Sequence, residues 1–344
     1  MNVLVTGGCG FIGSNFIKYM LKKYPECMIV NIDKLTYAGN PDNLREIEDN
    51  PNYKFVKGDI ADEKEINQIF ENEKIEIVVN FAAETHVDRS IHEPKAFLFT
   101  DIVGTYNLLE AVKKFKINLM IQISTDEVYG STKDGEFSEN TPFDPSSPYS
   151  ASKAAADHLC MAYFRTYNAP VIVTHSCNVF GPNQYPEKVI PLFATNLIEG
   201  KKVPVYGKGE QVREWVFTED YCNAIDRIIS KGSIGETYNI GSGDRISNIE
   251  LTKKILKIMG KDESSIEFVK DRPGHDFRYA IDSSKLRKEI GWKPIHSFDD
   301  ALKKTVEWYS NNNDWWKKLK SGEFLEYYKK HYIKMHGMMQ EEEQ

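Results

Sequence analysis

Met1-Asn2-Val3-Leu4-Val5-Thr6-Gly7-Gly8-Cys9-Gly10-Phe11-Ile12-Gly13 is the stretch on which the fold turns. An apolar, β-branched run passes into glycines at a G-x-x-G-x-x-G spacing (Gly7, Gly10, Gly13) and then into the amphipathic run Ile12 to Tyr24. A pyrophosphate cradle needs that order. Glycines let the backbone approach an anion closely, and the amides and positive end of the helix dipole face it. Alone, the pattern also fits a tight strand–helix turn that binds nothing, and the acid that follows separates the two. Asp33 closes the next apolar run, Met28-Ile29-Val30-Asn31-Ile32. A carboxylate there accepts from adenosine ribose hydroxyls and repels a 2′-phosphate. NAD is expected over NADP, with Lys34 a neighbouring cation that could tolerate a phosphate. Asp59-Ile60, after Tyr53-Lys54-Phe55-Val56, is placed to reach the adenine.

The alternation continues outward. Ile75-Glu76-Ile77-Val78-Val79, Leu119-Met120-Ile121-Gln122-Ile123 and Val171-Ile172-Val173 read as strands apolar on both faces, as strands covered by helices on both sides are. Helical runs are expected over Asp62 to Glu73, Ala96 to Phe115 and Tyr149 to Tyr167. A βαβα order predicts an α/β fold with a doubly wound, Rossmann-type parallel sheet. After about residue 180 Gly and Pro punctuation rises, which predicts a second, smaller mixed α/β lobe for substrate. Thr237-Tyr238-Asn239-Ile240 is placed to return to the sheet. The expected division is 1–178 with about 212–241 for the dinucleotide, about 179–211 with 242–330 for the substrate lobe, and a disordered acidic tail at 335–344.

The 344 residues carry 44 basic and 51 acidic side chains, a formal charge of −7, and 41% are hydrophobic. Global disorder is excluded. The acidic balance argues against nucleic acid or an anionic membrane as partner, because no excess cation is present to neutralise phosphates. The five cysteines (Cys9, Cys27, Cys160, Cys177, Cys222) form no C-x-x-C pair, and neither a metal site nor a disulfide framework is expected. A strand beginning at Met1 leaves no room for a signal peptide, so a soluble cytoplasmic protein is expected.

Tyr-x-x-x-Lys occurs as Tyr19/Lys23, Tyr53/Lys57, Tyr129/Lys133 and Tyr149/Lys153, so the spacing alone decides nothing. Tyr149/Lys153 opens a helix announced by Ser146-Ser147-Pro148, with phenol and ammonium on one face. A nearby cation is expected to lower the phenol pKa and make it a usable base. Thr125-Asp126-Glu127 follows the strand ending at Ile123, where ligands of doubly wound sheets bind. Two adjacent carboxylates can divide acid and base roles when their environments differ. The plainer alternative is a solvated acidic loop.

Together these segments resemble the extended short-chain dehydrogenase/reductase family, and within it the nucleotide-sugar 4,6-dehydratases. The likeness is carried by Thr6 to Gly13, Asp33-Lys34-Leu35-Thr36-Tyr37-Ala38-Gly39-Asn40, Ala82-Ala83-Glu84-Thr85-His86-Val87-Asp88-Arg89-Ser90, Ser124 to Gly130, Tyr149 to Lys153, Pro186-Glu187-Lys188 and Asp271-Arg272-Pro273-Gly274-His275. The resemblance implies NAD as cofactor and dTDP-glucose as substrate, with UDP-glucose as alternative. An epimerase or decarboxylase, or a non-catalytic NAD-binding protein, is less favoured by the acid pair. It implies Tyr149 as base for the C4 hydroxyl supported by Lys153 and Thr125, Glu127 as base at C5, and Asp126 as acid at C6. Phe11, Ile12, Asp33, Lys34, Thr36, Asp59, Ile60, Ala82, Ala83, Thr100, Tyr149 and Lys153 match cofactor positions. Thr85, Asn178, Lys188, Val189, Pro204, Tyr206, Arg213, Asn248, Asp271, Arg272 and His275 match substrate positions. Against the family pattern, Asp101 and Val179 stand where Asn is usual, and Thr85 where Ser is common. The resemblance also implies a homodimer paired through the helices at 96–115 and 149–167.

Overall fold

Val3, Leu4 and Val5 have no exposed surface at all, because their strand has neighbours on both sides and helices over both faces. The computed structural model describes residues 1–271, 276–322 and 324. The expected acidic tail, Arg272 and His275 lie outside these residues. In chain order the first half comprises β1 (Asn2–Thr6), α1 (Phe11–Lys23), β2 (Met28–Asp33), β3 (Tyr53–Lys57), α2 (Glu63–Asn72), β4 (Ile77–Asn80), α3 (Val87–His92), α4 (Pro94–Phe97), α5 (Thr105–Phe115), β5 (Leu119–Thr125), α6 (Pro148–Tyr167) and β6 (Val171–Ser176). Next come β7 (Asn178–Phe180), α7 (Val189–Ile198), β8 (Val203–Tyr206), β9 (Val212–Phe217), α8 (Thr218–Lys231) and β10 (Thr237–Ile240). The remainder is β11 (Arg245–Ser247), α9 (Asn248–Ile258), β12 (Ile266–Val269), α10 (Ser284–Ile290), α11 (Phe298–Asn311) and α12 (Asn313–Leu319).

Seven strands form one parallel sheet in the order β10-β6-β5-β4-β1-β2-β3. The chain reverses direction across the sheet between β1 and β4, and that switch point opens a crevice at the strands' carboxyl ends. Phe16, Ile17 and Met20 of α1 pack with Ile225 and Ile228 of α8 against one face. Ile66, Phe70, Leu108, Val112 and Cys160, from α2, α5 and α6, cover the other. β10 pairs with β6 in register from Thr237 opposite Val173 to Ile240 opposite Ser176. A separate apolar core, including Phe180, Trp215, Leu251, Leu302 and Trp316, lies between α7, α9 and α11 and the small sheets β11-β9-β7 and β12-β8.

The run expected as one helix from Ala96 to Phe115 is interrupted by a π-helical turn, Leu98–Gly104. The cause lies at two residues. Gly104 packs its bare Cα so close to Ile60 that a Cβ would stand 2.4 Å from Ile60 Cδ1. Asp101, 1% exposed, turns inward to polar partners on α6. Such bulges are concentrated at functional sites. Among the described residues no helix is long and apolar enough to cross a membrane.

Candidate active site

The first βα turn is built by absent side chains. Gly7 adopts φ +65°, and a Cβ there would lie 2.7 Å from Ala82 Cα. A Cβ on Gly13 would lie 2.5 Å from the Gly7 carbonyl oxygen. Gly10 caps α1 with no side-chain hydrogen bond, and the first turn carries no acid. The helix therefore presents uncapped amides and the positive end of its dipole to the crevice, an environment made for an anion. Asp33, buried at the end of β2, accepts the amides of Cys9 at 2.9 Å and Leu35 at 2.8 Å. Its neighbour Lys34 pairs with Asp59 at 2.6 Å, which engages the cation that could have attracted a 2′-phosphate. These residues fit an NAD-type dinucleotide.

One cleft runs from this turn across the switch point to the small lobe. It is lined by Gly7, Gly10, Phe11, Ile12, Gly13, Asp33, Lys34, Thr36, Asp59, Ile60, Ala82, Ala83, Thr100, Tyr149 and Lys153, the whole set matched to cofactor positions. Thr125, Asp126 and Glu127 line the same cleft. A buried ladder holds its floor. Thr6 Oγ1 donates to Asn80 Oδ1 at 2.6 Å, and Asn80 Nδ2 donates to Gln122 Oε1 at 2.8 Å, joining β1, β4 and β5.

Of the four Tyr-x-x-x-Lys pairs, only Tyr149/Lys153 lines the cleft. Tyr19 and Lys23 bond Asp226, Tyr53 receives the Asn31 amide, and Tyr129 meets His175 at 2.6 Å. α6 is launched by a capping box between Ser147 and Ser150, with Pro148 in its first turn. The expected lowering of the Tyr149 phenol by Lys153 is not what the structure shows. Burial first, then the charges of Glu127 and Asp101, push the phenol well above its ordinary value, while a hydrogen bond with Thr125 opposes them. Lys153 donates its ammonium to the Ile123 carbonyl at 2.6 Å.

Thr125 caps the 3-10 turn Asp126–Tyr129, accepting the Glu127 amide at 3.3 Å. The two acids that open the turn meet different surroundings. Asp126 is 2% exposed, and its Oδ2 has no hydrogen-bond partner among the described residues. Burial and then the neighbouring Glu127 carboxylate raise its pKa well above the usual carboxyl range. Glu127 is half-buried. The solvated-loop alternative does not describe this pair.

Among the residues matched to substrate, Thr85, Asn178 and Lys188 line the cleft, with Lys188 Nζ on the Thr85 carbonyl at 2.8 Å. Val189, Pro204, Tyr206, Arg213, Asn248 and Asp271 are not among its lining residues. Val189 opens α7, directly after Lys188. Pro204 and Tyr206 lie on β8, paired with β12. Asp271 accepts Gln211 Nε2 at 2.6 Å, and the Asn248 amide donates to the Gln211 carbonyl at 2.9 Å. Arg213 stacks over the Tyr279 ring at 4.2 Å, and its charge acts on Asp126. Of this second group, Arg213 is the member whose charge reaches the acid pair.

Two acids in the lining had no assigned role. Glu187 accepts the Tyr37 hydroxyl at 2.8 Å and lies 3.5 Å from Arg89 Nε. Glu84 is raised to about 7, by burial and then by the Asp101 carboxylate. Both stand inside segments quoted above for their likeness, Pro186-Glu187-Lys188 and Ala82 to Ser90, and an acid among such neighbours was the available signal. Val179 lines the cleft and offers its carbonyl to Gln184 Nε2 at 3.1 Å.

The fold and cleft define an NAD-type dinucleotide-binding body joined to a smaller lobe, the architecture of a nucleotide-sugar-modifying enzyme. The family model for GDP-mannose 4,6 dehydratase matches residues 4–305. The chain is 44% identical to dTDP-glucose 4,6-dehydratase of Neisseria meningitidis, over 94% of this chain and 97% of that protein. The crystal structure of dTDP-glucose 4,6-dehydratase from Bacillus anthracis in complex with NAD is 48% identical, with TM-score 0.88, covering 93% of this chain and 100% of that one. DesIV, a dTDP-glucose 4,6-dehydratase from Streptomyces venezuelae with NAD and a dTDP ligand bound, is 45% identical with TM-score 0.90, again over 93% and 100%. The chain belongs to the extended short-chain dehydrogenase/reductase family, among its nucleotide-sugar 4,6-dehydratases.

Gly13→Ala would set a methyl group 2.5 Å from the Gly7 carbonyl oxygen and 2.8 Å from Gly8 Cα. Titration calorimetry is expected to show NAD binding weakened by roughly tenfold or more. Unchanged affinity would mean that the close turn is not the dinucleotide cradle.

Proposed function

We propose that this chain converts dTDP-glucose to its 4-keto-6-deoxy derivative, with NAD as a retained cofactor. The reading is carried by one observation: a phenol and two neighbouring acids in unlike surroundings share a cleft with a dinucleotide-type glycine turn. Tyr149 removes the proton of the C4 hydroxyl, with Thr125 on the phenol and Lys153 beneath it. NAD held by the glycine turn and Asp33 would supply a hydride acceptor for C4 and a hydride source for C6, and its oxidised ring would add positive charge opposing the acids around Tyr149. The C4 ketone acidifies the C5 hydrogen, which Glu127 takes and, after exchange with solvent, returns as a proton to C5 when hydride reaches C6. Asp126, whose protonated form burial favours, donates to the C6 hydroxyl, which leaves as water. Gly7, Gly10, Phe11, Ile12 and Gly13 hold the pyrophosphate, and Asp33 the adenosine ribose. Thr85, Asn178 and Lys188 face the nucleotide sugar inside the cleft, and Arg213 approaches it from the lobe.

We assign 1–178 with about 212–241 to cofactor binding, and about 179–211 with 242–330 to the nucleotide sugar; a core shared by Leu192, Leu251 and Leu302 supports the second unit, although Ile281, Leu286 and Trp292 pack with the sheet core and Trp215 and Phe217 with the core of the lobe. Five buried free thiols support a reducing, cytoplasmic setting. A homodimer is supported by large apolar side chains left in solvent on one set of helices: Leu98 at 49%, Phe99 at 52%, Tyr106 at 44% and Tyr167 at 52% exposed.

Incubation with dTDP-glucose in deuterated water is expected to give a 4-keto-6-deoxy product labelled at C5, with no net reduced cofactor. An unlabelled product, or a sugar merely inverted at C4, overturns the dehydratase reading. UDP-glucose run in parallel decides the nucleoside, because an apolar pocket separates thymine from uracil by only about 1–3 kcal/mol. Glu127→Gln is expected to stall after oxidation and accumulate the absorbance of reduced nicotinamide. Full turnover by that variant removes Glu127 as the C5 base. Light scattering is expected to report twice the chain mass, and a monomer defeats the dimer assignment.

A further inference from the structure

Asp101 is a buried acid that the reaction above does not use. It sits within the π-helical turn Leu98–Gly104 and is 1% exposed. Its Oδ2 accepts Ser152 Oγ at 2.6 Å, and its Oδ1 accepts the Glu84 backbone amide at 3.1 Å. Ser152 directly precedes Lys153 on α6, and Glu84 lines the opposite wall of the cleft. The carboxylate therefore joins the helix that carries Tyr149 and Lys153 to the segment leaving β4. It is not part of the cleft lining itself, although its neighbour Thr100 is.

We propose that Asp101 is a positioning residue whose buried negative charge, tethered to the helix that carries the phenol, sets the pH range in which Tyr149 works. The groups that face it come from three segments. On α6 they are Lys153, Ser152, Asp157 and Tyr149; after β4 it is Glu84, itself acted on by Arg89 and Lys34; and from the loop before α7 Glu187 acts on Glu84. A negative charge near a phenol makes it harder to deprotonate. The carboxyl of Asp101 is itself raised to about 6, by burial first, with Lys153 opposing. The effect is then present above about pH 6 and fades below it.

Asp101→Asn keeps the side-chain shape and removes the charge. The limb of the kcat/KM profile on which Tyr149 loses its proton is expected to move to lower pH, by about half a unit to one unit. The displacement should vanish below about pH 6, where the wild-type carboxyl is neutral as well. Ser152→Ala cuts one tether but keeps the charge, so the same limb should stay in place in this variant whatever happens to its rate. Thermal unfolding without cofactor or substrate supplies a second readout. A folded-state pKa raised above the unfolded value near 3.8 means that the wild type loses stability as pH climbs through about 6. The wild-type midpoint minus that of Asp101→Asn should therefore fall between about pH 4 and pH 7. An unmoved limb in Asp101→Asn, equal movement in Ser152→Ala, or a level midpoint difference each overturn the proposal. The inference rests on Tyr149 as the base. A wild-type protein that leaves dTDP-glucose untouched defeats that reading alone, and the unfolding measurement still decides on Asp101.

Discussion

α1 stands where it does because Gly7 and Gly13 have no side chains, and the rest of the site depends on that approach. With Cβ atoms the turn would meet Ala82 at 2.7 Å and the Gly7 carbonyl at 2.5 Å, and the helix would have to withdraw from the carboxyl end of β1. At its observed distance it aims uncapped amides across the switch point between β1 and β4. The polar ladder Thr6–Asn80–Gln122 then fixes β1, β4 and β5 laterally. The strand that delivers Thr125, Asp126 and Glu127 is thereby held in register with the strand that delivers the glycine turn.

Chemistry is divided by burial. Asp126 and Glu127 are adjacent in sequence, yet the 3-10 turn capped by Thr125 sends one into a dry interior and leaves the other half-buried. Desolvation and the neighbouring Glu127 carboxylate favour the protonated form of the first. Two carboxylates in such unlike surroundings are suited to divide acid and base roles. Tyr149 pays for the same dryness, since its phenol is pushed up rather than down. Charge brought into the cleft, and charge fixed behind it at Asp101, decide where the phenol titrates.

Much of this was legible in the sequence. Alternating apolar runs gave the parallel sheet, because strands covered on both faces have few polar positions to confuse the pattern. The residues matched to the cofactor proved to share one cleft, since they cluster at strand ends whose order the βα alternation dictates. Three things were hidden. The π-helical turn replaced a continuous helix, because its cause is a long-range contact between Gly104 and Ile60. The direction of the Tyr149 shift was misjudged, because i, i+4 spacing states who is near and not how deep they lie. Pro204 and Tyr206 are brought beside the strand that leads to Asp271 by the β8–β12 pairing, which joins segments far apart in the chain and has no local signature.

The last strand of the large sheet has a consequence for biogenesis. β10 completes the edge beside β6 only after the intervening chain, which includes α7, β8 and α8, has been made. Until residue 240 has left the ribosome, the nascent chain displays the open hydrogen-bonding edge of an apolar, fully buried strand. Such an edge is a template for pairing with other chains.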